Sequence, residues 1–276
     1  MADRAGRAMS FGAIAADYDR LRPAPPAEAA DWLLPRPCET AVDLAAGTGL
    51  LTRLLAGRAR QVIAVEPDQR MAAVLRAHSP GARVLAGTGE AIPLPDASAD
   101  AVLVSSAWHW LDPDQAVPEI ARVLRDGGRL GLIWTSRDRQ VSWVRELGRL
   151  ARGPGQPGHS PGPDQAAPDD AGQEAERASR GLAGRREIRL PEPGPFTSVS
   201  TASFAFSKPM TVEDIVGMLG TYSGVITASP RDRAAGLARG KAALRARFPG
   251  AGLIDVPMRS WCWRADRVSR DHDIDR

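Results

Sequence analysis

The chain has 276 residues, of which 43% are hydrophobic and 25% charged, and this ordinary usage excludes a wholly disordered or fibrous protein. Its 36 basic and 33 acidic residues leave a net charge of +3, and the two signs are interspersed. Without a basic stripe, the composition does not favour nucleic acid as a partner. The length allows one large domain or a domain with an appendage.

Several features bear on where the protein works. Cys38 and Cys262 are far apart in the sequence, form no metal-type Cys/His spacing and fit a reducing compartment. Residues 1–19 lack the apolar core of a signal peptide, and the uncharged apolar run at residues 101–111 is too short to span a bilayer. We therefore expect a cytoplasmic protein with no metal and no membrane partner. The oligomeric state stays open.

The chain begins with a predicted N-terminal cap over residues 1–39. Within it, residues 11–23 are expected to form an amphipathic helix that packs through Phe11, Ile14 and Leu21. This helix precedes the first strand-like run of the sequence.

A core with a Rossmann-like sheet is predicted over residues 40–150. Short apolar runs predict strands at residues 42–46, 61–66, 82–86, 100–106 and 129–135. Helical spacing occupies residues 50–56, 67–78 and 113–124, and Gly127 with Gly128 is expected to end the last of these helices. Alternating strands and helices predict an α/β fold with a doubly wound, mostly parallel sheet.

The second half of the chain divides into three predicted parts. Residues 151–185 form an insert expected to be flexible, since nine residues of the stretch 153–171 are Gly or Pro. Residues 186–268 are expected to complete the sheet and the substrate pocket, with strands at 187–190, 199–206 and 256–264 and helices at 212–219 and 231–248. Residues 269–276 form a charged tail.

The sharpest feature is a glycine-rich turn, Ala-Gly-Thr-Gly at residues 46–49, between the first strand and the first core helix. Open α/β sheets bind ligands at this position. Counted from Gly47, a dinucleotide fingerprint wants Gly or Ala where Thr52 stands. Asp43 lies inside the strand, where its carboxylate would repel a pyrophosphate and attract an ammonium group. Glu66 ends the second strand, where a carboxylate can accept hydrogen bonds from both ribose hydroxyls.

A nucleoside with an amino-acid tail and no phosphate fits all three details, and S-adenosylmethionine is such a cofactor. The motifs at residues 43–49, 65–67, 87–94 and 122–128 then resemble class I S-adenosylmethionine-dependent methyltransferases. The nearer resemblance is to the small-molecule branch with trans-aconitate and quinone-biosynthesis methyltransferases. It covers residues 10–150 well and implies an antiparallel last strand.

The resemblance implies a set of cofactor-binding residues. Asp43 takes the family's acidic position in the first turn, and Glu66, followed by Pro67, takes the ribose-binding position. Ala45 stands where the family usually has its first glycine, and Thr88 stands where the adenine-binding loop usually has Asp. The remaining candidates are Gly47 and Gly49 in the turn, Gly89 and Glu90 in the adenine loop, and Ser105 at the end of the fourth strand.

The substrate is expected on the same side of the sheet, beyond the fourth strand. His109 is the candidate general base, which is needed only if the acceptor is a hydroxyl or amine that still holds its proton. Trp108 and Trp110 could wall the pocket or simply cap the sheet. By resemblance, Tyr18 lies near the methionine tail and Arg22 near the pocket mouth, and Tyr222 could contact substrate.

These features predict methyl transfer from S-adenosylmethionine to a carboxylate, hydroxyl or phenol of a small molecule. The first alternative is an NAD(P)-dependent oxidoreductase, against which stand Thr52, Asp43 and the lack of an active-site Tyr-x-x-x-Lys pairing. The second alternative is a non-catalytic nucleoside-binding protein, which the sequence leaves open because methyl transfer needs few specific side chains.

Overall fold

The computed structural model describes residues 9–152, 188, 190, 194–222, 225 and 228–269. Its strands are β1 Thr40–Leu44, β2 Gln61–Val65, β3 Arg83–Leu85, β4 Ala99–Ser105, β5 Leu124–Arg137, β6 Phe196–Met210 and β7 Ile254–Arg267. They form one seven-stranded sheet in the order β3-β2-β1-β4-β5-β7-β6. Strands β1 to β5 pair in parallel, whereas β7 runs antiparallel to β5 and β6. The predicted doubly wound, mostly parallel sheet with an antiparallel last strand is confirmed.

Helices cover the sheet and its C-terminal extension. They are α1 Ala15–Leu21, α2 Ala27–Leu33, α3 Leu50–Leu55, α4 Gln69–His78, α5 Pro113–Val123, α6 Ser142–Arg152, α7 Val212–Gly220 and α8 Pro230–Arg247. Short 3-10 turns occupy Met9–Ile14 and Trp108–Trp110. Side-chain caps fix several helix starts: Asp68 accepts a hydrogen bond from the Arg70 amide before α4, and Thr211 does the same for Asp214 before α7.

Some local predictions were wrong in detail. The helix expected over residues 11–23 is divided into a 3-10 turn and α1, and it ends at Arg22, which is extended because Pro23 follows it. Helix α5 ends at Val123 rather than at the glycine pair, and β5 begins at Leu124. Gly127 instead has a φ of 71° near the register shift in the pairing of β4 with β5. Helices α2 and α6 were not predicted.

Part of the prediction concerns residues that lie outside the described chain. These include the insert expected to be flexible at residues 153–171 and all but the first residue of the tail. Of the strand expected at 187–190, the structure describes Ile188 and Leu190, which lie outside the seven strands and pack against the core.

Each face of the sheet has its own hydrophobic cluster. Val42 and Leu44 of β1 belong to the cluster that includes Ile120 of α5. Ala41 belongs to the opposite cluster with Leu51 of α3, and Asp43, two residues further on, faces this same side. A third cluster joins α6, α7 and α8 to the ends of β6 and β7. Within the described ranges, no helix combines the length and apolar character needed to cross a membrane.

Candidate active site

The glycine-rich turn follows β1 at the carboxyl edge of the sheet. Gly47 and Gly49 have left-handed φ angles of 58° and 85°. A Cβ on Gly49 would lie 2.8 Å from Leu75 Cγ, so close packing against α4 also requires glycine there. A Cβ on Gly47 would have no neighbour within 4 Å. The turn is therefore packed tightly at Gly49 and open at Gly47, where a ligand can approach the backbone.

Ala45, which stands at the position of the family's usual first glycine, also has a left-handed φ of 55°. An L-residue in this region costs roughly 1–2 kcal/mol because its Cβ crowds the following carbonyl oxygen. Backbone strain of this kind concentrates at binding and catalytic turns.

Asp43 is a fully buried carboxyl directly before the turn. Its Oδ2 accepts a hydrogen bond of 2.6 Å from Thr52 Oγ1 of α3. In the described part of the chain its Oδ1 is buried without a hydrogen-bond partner. Desolvation by burial raises the pKa of Asp43 to about 7, although the Thr52 hydrogen bond opposes this shift. Among the described residues Asp43 Oδ1 thus keeps unused acceptor capacity, and its negative charge, when ionised, would favour a cation bound at the turn.

Glu66 comes directly after β2 and is aimed at the turn. Its Oε2 accepts a hydrogen bond of 2.7 Å from the Gly47 amide, and its Oε1 one of 2.8 Å from the Asp68 amide. Only 6% of Glu66 is exposed, and desolvation raises its pKa while the two amides act in the opposite direction. Each carboxylate oxygen has a further lone pair, so Glu66 can still accept hydrogen bonds from a diol.

The adenine loop expected at residues 88–90 lies between β3 and β4. Thr88 is exposed, and its backbone pairs with that of Ala91. Gly89 is buried so closely against Leu111 that a Cβ would lie 2.8 Å from Leu111 Cδ2. Glu90 Oε1 accepts a hydrogen bond of 2.9 Å from the Asp112 amide, and this contact ties the loop to the start of α5.

The other cofactor candidates lie at neighbouring strand ends. Pro67 is exposed directly after Glu66, and Ser105 is half-buried as the last residue of β4. Both strands are parallel neighbours of β1, so their carboxyl ends share one edge of the sheet with the glycine turn.

The three aromatic candidates lie in the 3-10 turn after β4 but differ in exposure. Trp108 is buried in the hydrophobic core, where it packs with the sheet. His109 is exposed, and its ring centroid lies 4.3 Å from that of the half-buried Trp110, with the planes tilted by 44°. His109 and Trp110 are therefore accessible at the end of β4, whereas Trp108 is part of the hydrophobic core.

Helix α1 fastens the cap to this edge through Asp19, which sequence reasoning missed. Asp19 pairs with Arg53 of α3 at 2.7 Å and with His78 Nδ1 of α4 at 3.0 Å. Arg53 also donates to the Thr48 carbonyl in the turn, at 3.0 Å. The Cβ of a residue at Gly12 would lie 2.1 Å from Asp68 Oδ2, so the N-terminal segment runs closely over the start of α4.

The substrate candidates Tyr18, Arg22 and Tyr222 come together at the C-terminal end of α1. The Arg22 guanidinium carbon lies 5.1 Å from the Tyr18 ring centroid and 4.0 Å from that of Tyr222. Arg22 Nη2 donates a hydrogen bond of 3.1 Å to the Thr221 carbonyl. Arg137, at the end of β5, joins the same group and was not predicted from the sequence.

The residues present fit S-adenosylmethionine. The open turn at Gly47 admits a backbone approach, Asp43 Oδ1 has no donor among the residues that the structure describes, and Glu66 has acceptor capacity for a ribose. A doubly wound sheet with these groups at the ends of β1 and β2 defines the class I methyltransferase type of nucleoside site rather than a dinucleotide site.

Comparison with known proteins agrees with this class. A family model described as a methyltransferase domain matches residues 42–132. An uncharacterized methyltransferase of Mycobacterium tuberculosis is 41% identical over 230 residues, which cover 83% of each chain. A malonyl-[acyl-carrier protein] O-methyltransferase of Methylococcus capsulatus is 37% identical over 135 residues, which cover 44% of this chain and 48% of that protein.

The fold is shared with a solved structure from Anaeromyxobacter dehalogenans, which its name places with type II methyltransferases. The TM-score is 0.64 at 24% identity, and the match covers 90% of this chain and 98% of that one. The chain therefore belongs to the methyltransferase family.

Proposed function

We propose that the protein transfers the methyl group of S-adenosylmethionine to an oxygen atom of a small molecule: a carboxylate, a hydroxyl or a phenol. The observation that carries the proposal is the open backbone at Gly47, whose amide donates to the carboxylate of Glu66 and which follows the buried carboxyl of Asp43 in the same strand-to-helix connection. The name of the Methylococcus capsulatus relative, an O-methyltransferase, supports an oxygen acceptor.

Each residue of the site has a proposed role in holding the cofactor. Glu66 accepts hydrogen bonds from the ribose hydroxyls, and Asp43 compensates the charge of the ammonium group through the glycine turn. Thr88 and the Gly89 backbone line the adenine position, and Tyr18 lies toward the methionine tail. When bound, the cofactor supplies a methyl group made electrophilic by a positively charged sulfur.

The protein's main contribution to such a displacement is alignment, because the nucleophile, the methyl carbon and the sulfur must lie in line. The cap held by Asp19 and the 3-10 turn after β4 would shield the reacting atoms from water. If the acceptor is a hydroxyl or phenol, His109 is the proposed base that removes its proton, and its exposure keeps the imidazole accessible. A carboxylate acceptor is already ionised and needs no base.

The narrower assignment to the trans-aconitate and quinone-biosynthesis branch rests on the resemblance of the sequence motifs. A cytoplasmic location is supported by the two cysteines, Cys38 and Cys262, which are both free and buried.

The experiment that tests the function uses S-adenosylmethionine labelled in its methyl group. The purified protein is incubated with the labelled cofactor and a metabolite extract, and the labelled product is identified by mass spectrometry. We expect the label in a small molecule, and much less labelled product with the Glu66→Gln variant when the cofactor concentration is low enough not to saturate it. Label found only in protein or nucleic acid would contradict a small-molecule acceptor.

A further inference from the structure

Two arginines from distant parts of the chain face one tyrosine ring beside the cofactor edge. Arg22 follows α1, Arg137 is the last residue of β5, and Tyr222 follows α7. The guanidinium carbons of Arg22 and Arg137 lie 4.0 Å and 4.8 Å from the Tyr222 ring centroid. The two cations are therefore separated by no more than the sum of these distances.

Both arginines have buried donors that find no acceptor among the described residues. Only 4% of Arg137 is exposed, and its Nε and Nη1 are buried without a hydrogen-bond partner. Arg22 uses Nη2 to donate to the Thr221 carbonyl, but its Nε is also buried without a partner. The ring of Tyr222 offers the two cations a π face but no negative charge.

The acidic residues nearest in the chain are committed elsewhere. Asp138, the neighbour of Arg137, accepts from Arg259 at 2.8 Å and 3.0 Å. Asp214 of α7 pairs with Arg20 and accepts a hydrogen bond of 2.9 Å from Thr211 Oγ1. A third cation, Lys208, donates to the Arg22 carbonyl at 3.2 Å, which adds positive charge to the group.

A buried cation without a counter-ion is destabilising, because it has lost its hydration and has gained no charge in exchange. A guanidinium group presents its N–H donors as a planar fork that matches a carboxylate. Two such groups have unused donors and no acidic partner in the described part of the chain. They have the chemistry of a binding site for an external anion.

The position of this pair places it on the acceptor side of the cofactor. The sheet order puts β4 between β1 and β5, and Glu66 lies on the far side of β1, at the end of β2. Arg137 at the end of β5 is thus separated from the ribose-binding end of the site by β1 and β4. The 3-10 turn with His109 follows β4, and β4 is the strand that pairs with β5.

We propose that Arg22 and Arg137 bind a carboxylate of the methyl acceptor beside the ring of Tyr222. This inference rests on the proposed function and narrows its acceptor to carboxylic acids. A carboxylate whose charge is compensated by two guanidinium groups is a weak nucleophile, so it serves as a handle. The methyl group is transferred to another atom of the same molecule.

The test observes the arginine Nε–H groups directly by ¹H–¹⁵N NMR of the full-length protein saturated with S-adenosylhomocysteine. The probes are succinate, adipate and benzoate, and the controls are their uncharged amides. We expect the carboxylates, and not the amides, to shift the Arg22 and Arg137 signals saturably. The signal that disappears in the Arg137→Gln variant identifies the Nε–H group of Arg137. The same substitution should weaken carboxylate binding about tenfold or more. Arg245→Gln, at an exposed arginine of α8, should change nothing.

The wild-type spectra decide the matter even if Arg137→Gln fails to fold. Unmoved arginine signals with all three acids overturn the proposal, and so does a response to inorganic phosphate alone. If S-adenosylhomocysteine by itself shifts the signals, and Arg137→Gln loses affinity for it, the carboxylate is the cofactor's and the proposal is wrong. A wild-type protein that does not bind S-adenosylhomocysteine would instead contradict the proposed function. A methylated product without a free carboxylate overturns this inference while leaving methyl transfer intact.

Discussion

The exchange of Glu66 for glutamine tests the ribose-binding end of the site with the smallest change in shape. Each carboxylate oxygen of Glu66 accepts a hydrogen bond from a backbone amide, that of Gly47 at 2.7 Å and that of Asp68 at 2.8 Å. A glutamine has one oxygen and one NH₂ group, so in Glu66→Gln one backbone amide would face another donor. The turn would thereby lose one charge-assisted hydrogen bond and gain a repulsive contact.

The size of the expected effect follows from the number of hydrogen bonds that Glu66→Gln removes. Hydrogen bonds to charged groups contribute about 1.5–3 kcal/mol each, so the free protein should lose about this much unfolding free energy. The ribose hydroxyls also lose an acceptor, and a comparable loss of binding energy corresponds to a roughly 10- to 150-fold weaker affinity for S-adenosylhomocysteine.

The assay combines urea unfolding of the free protein with calorimetric titration of S-adenosylhomocysteine. The matched control is Glu39→Gln, because Glu39 is 59% exposed and pairs with Arg60 at only 3.4 Å. A surface pair of this kind contributes about 0–1 kcal/mol, so the control should keep its stability and its affinity. Wild-type affinity in Glu66→Gln would remove Glu66 from the binding site.

Three further changes probe the turn, the buried acid and the candidate base. Ala45→Gly should stabilise the free protein by up to about 1 kcal/mol in urea unfolding, because glycine adopts the left-handed backbone conformation of residue 45 without strain. The control Ala46→Gly should not stabilise the protein. Equal effects of the two substitutions would argue against strain at Ala45. Because burial raises the pKa of Asp43 to about 7, the folded protein keeps this proton after the unfolded chain has lost it. The contribution of Asp43 to stability is therefore complete below its ordinary pKa and falls by about 4 kcal/mol as the pH rises to about 7. Asp43→Asn should remove this pH dependence of the unfolding free energy. An unchanged pH dependence in the variant would show that another group causes it. His109→Ala should lower turnover roughly 10²–10⁴-fold with cofactor affinity intact if the acceptor is a hydroxyl or phenol. Wild-type turnover and Michaelis constant would show that His109 has no catalytic role.

The positions of the candidate cofactor residues at the strand ends could be predicted from the sequence because the signals that mark them are local. The glycine turn, Asp43 and Glu66 all lie at the ends of strands whose apolar runs mark them, and parallel strands bring such ends to one edge. Helix α6 was also within reach, since Val144, Leu147 and Ala151 are buried at helical spacing.

The substrate side was not readable to the same extent because its contacts are long-range. Arg137 meets Tyr222 only after α7 has packed on the end of the sheet, and periodicity carries no information on that pairing. The same holds for Asp19, whose partners Arg53 and His78 come from two different helices. Thr52 was used only as a departure from a dinucleotide fingerprint, although its main role is the hydrogen bond to Asp43.

The most direct test of the cofactor site is a crystal structure of the protein with S-adenosylhomocysteine. We expect both ribose hydroxyls within hydrogen-bond distance of the Glu66 carboxylate, the amino-acid tail against the turn at Gly47, and the sulfur directed toward β4. A nucleoside bound away from Glu66, or a tail directed away from the turn that follows Asp43, would contradict the site proposed for this protein.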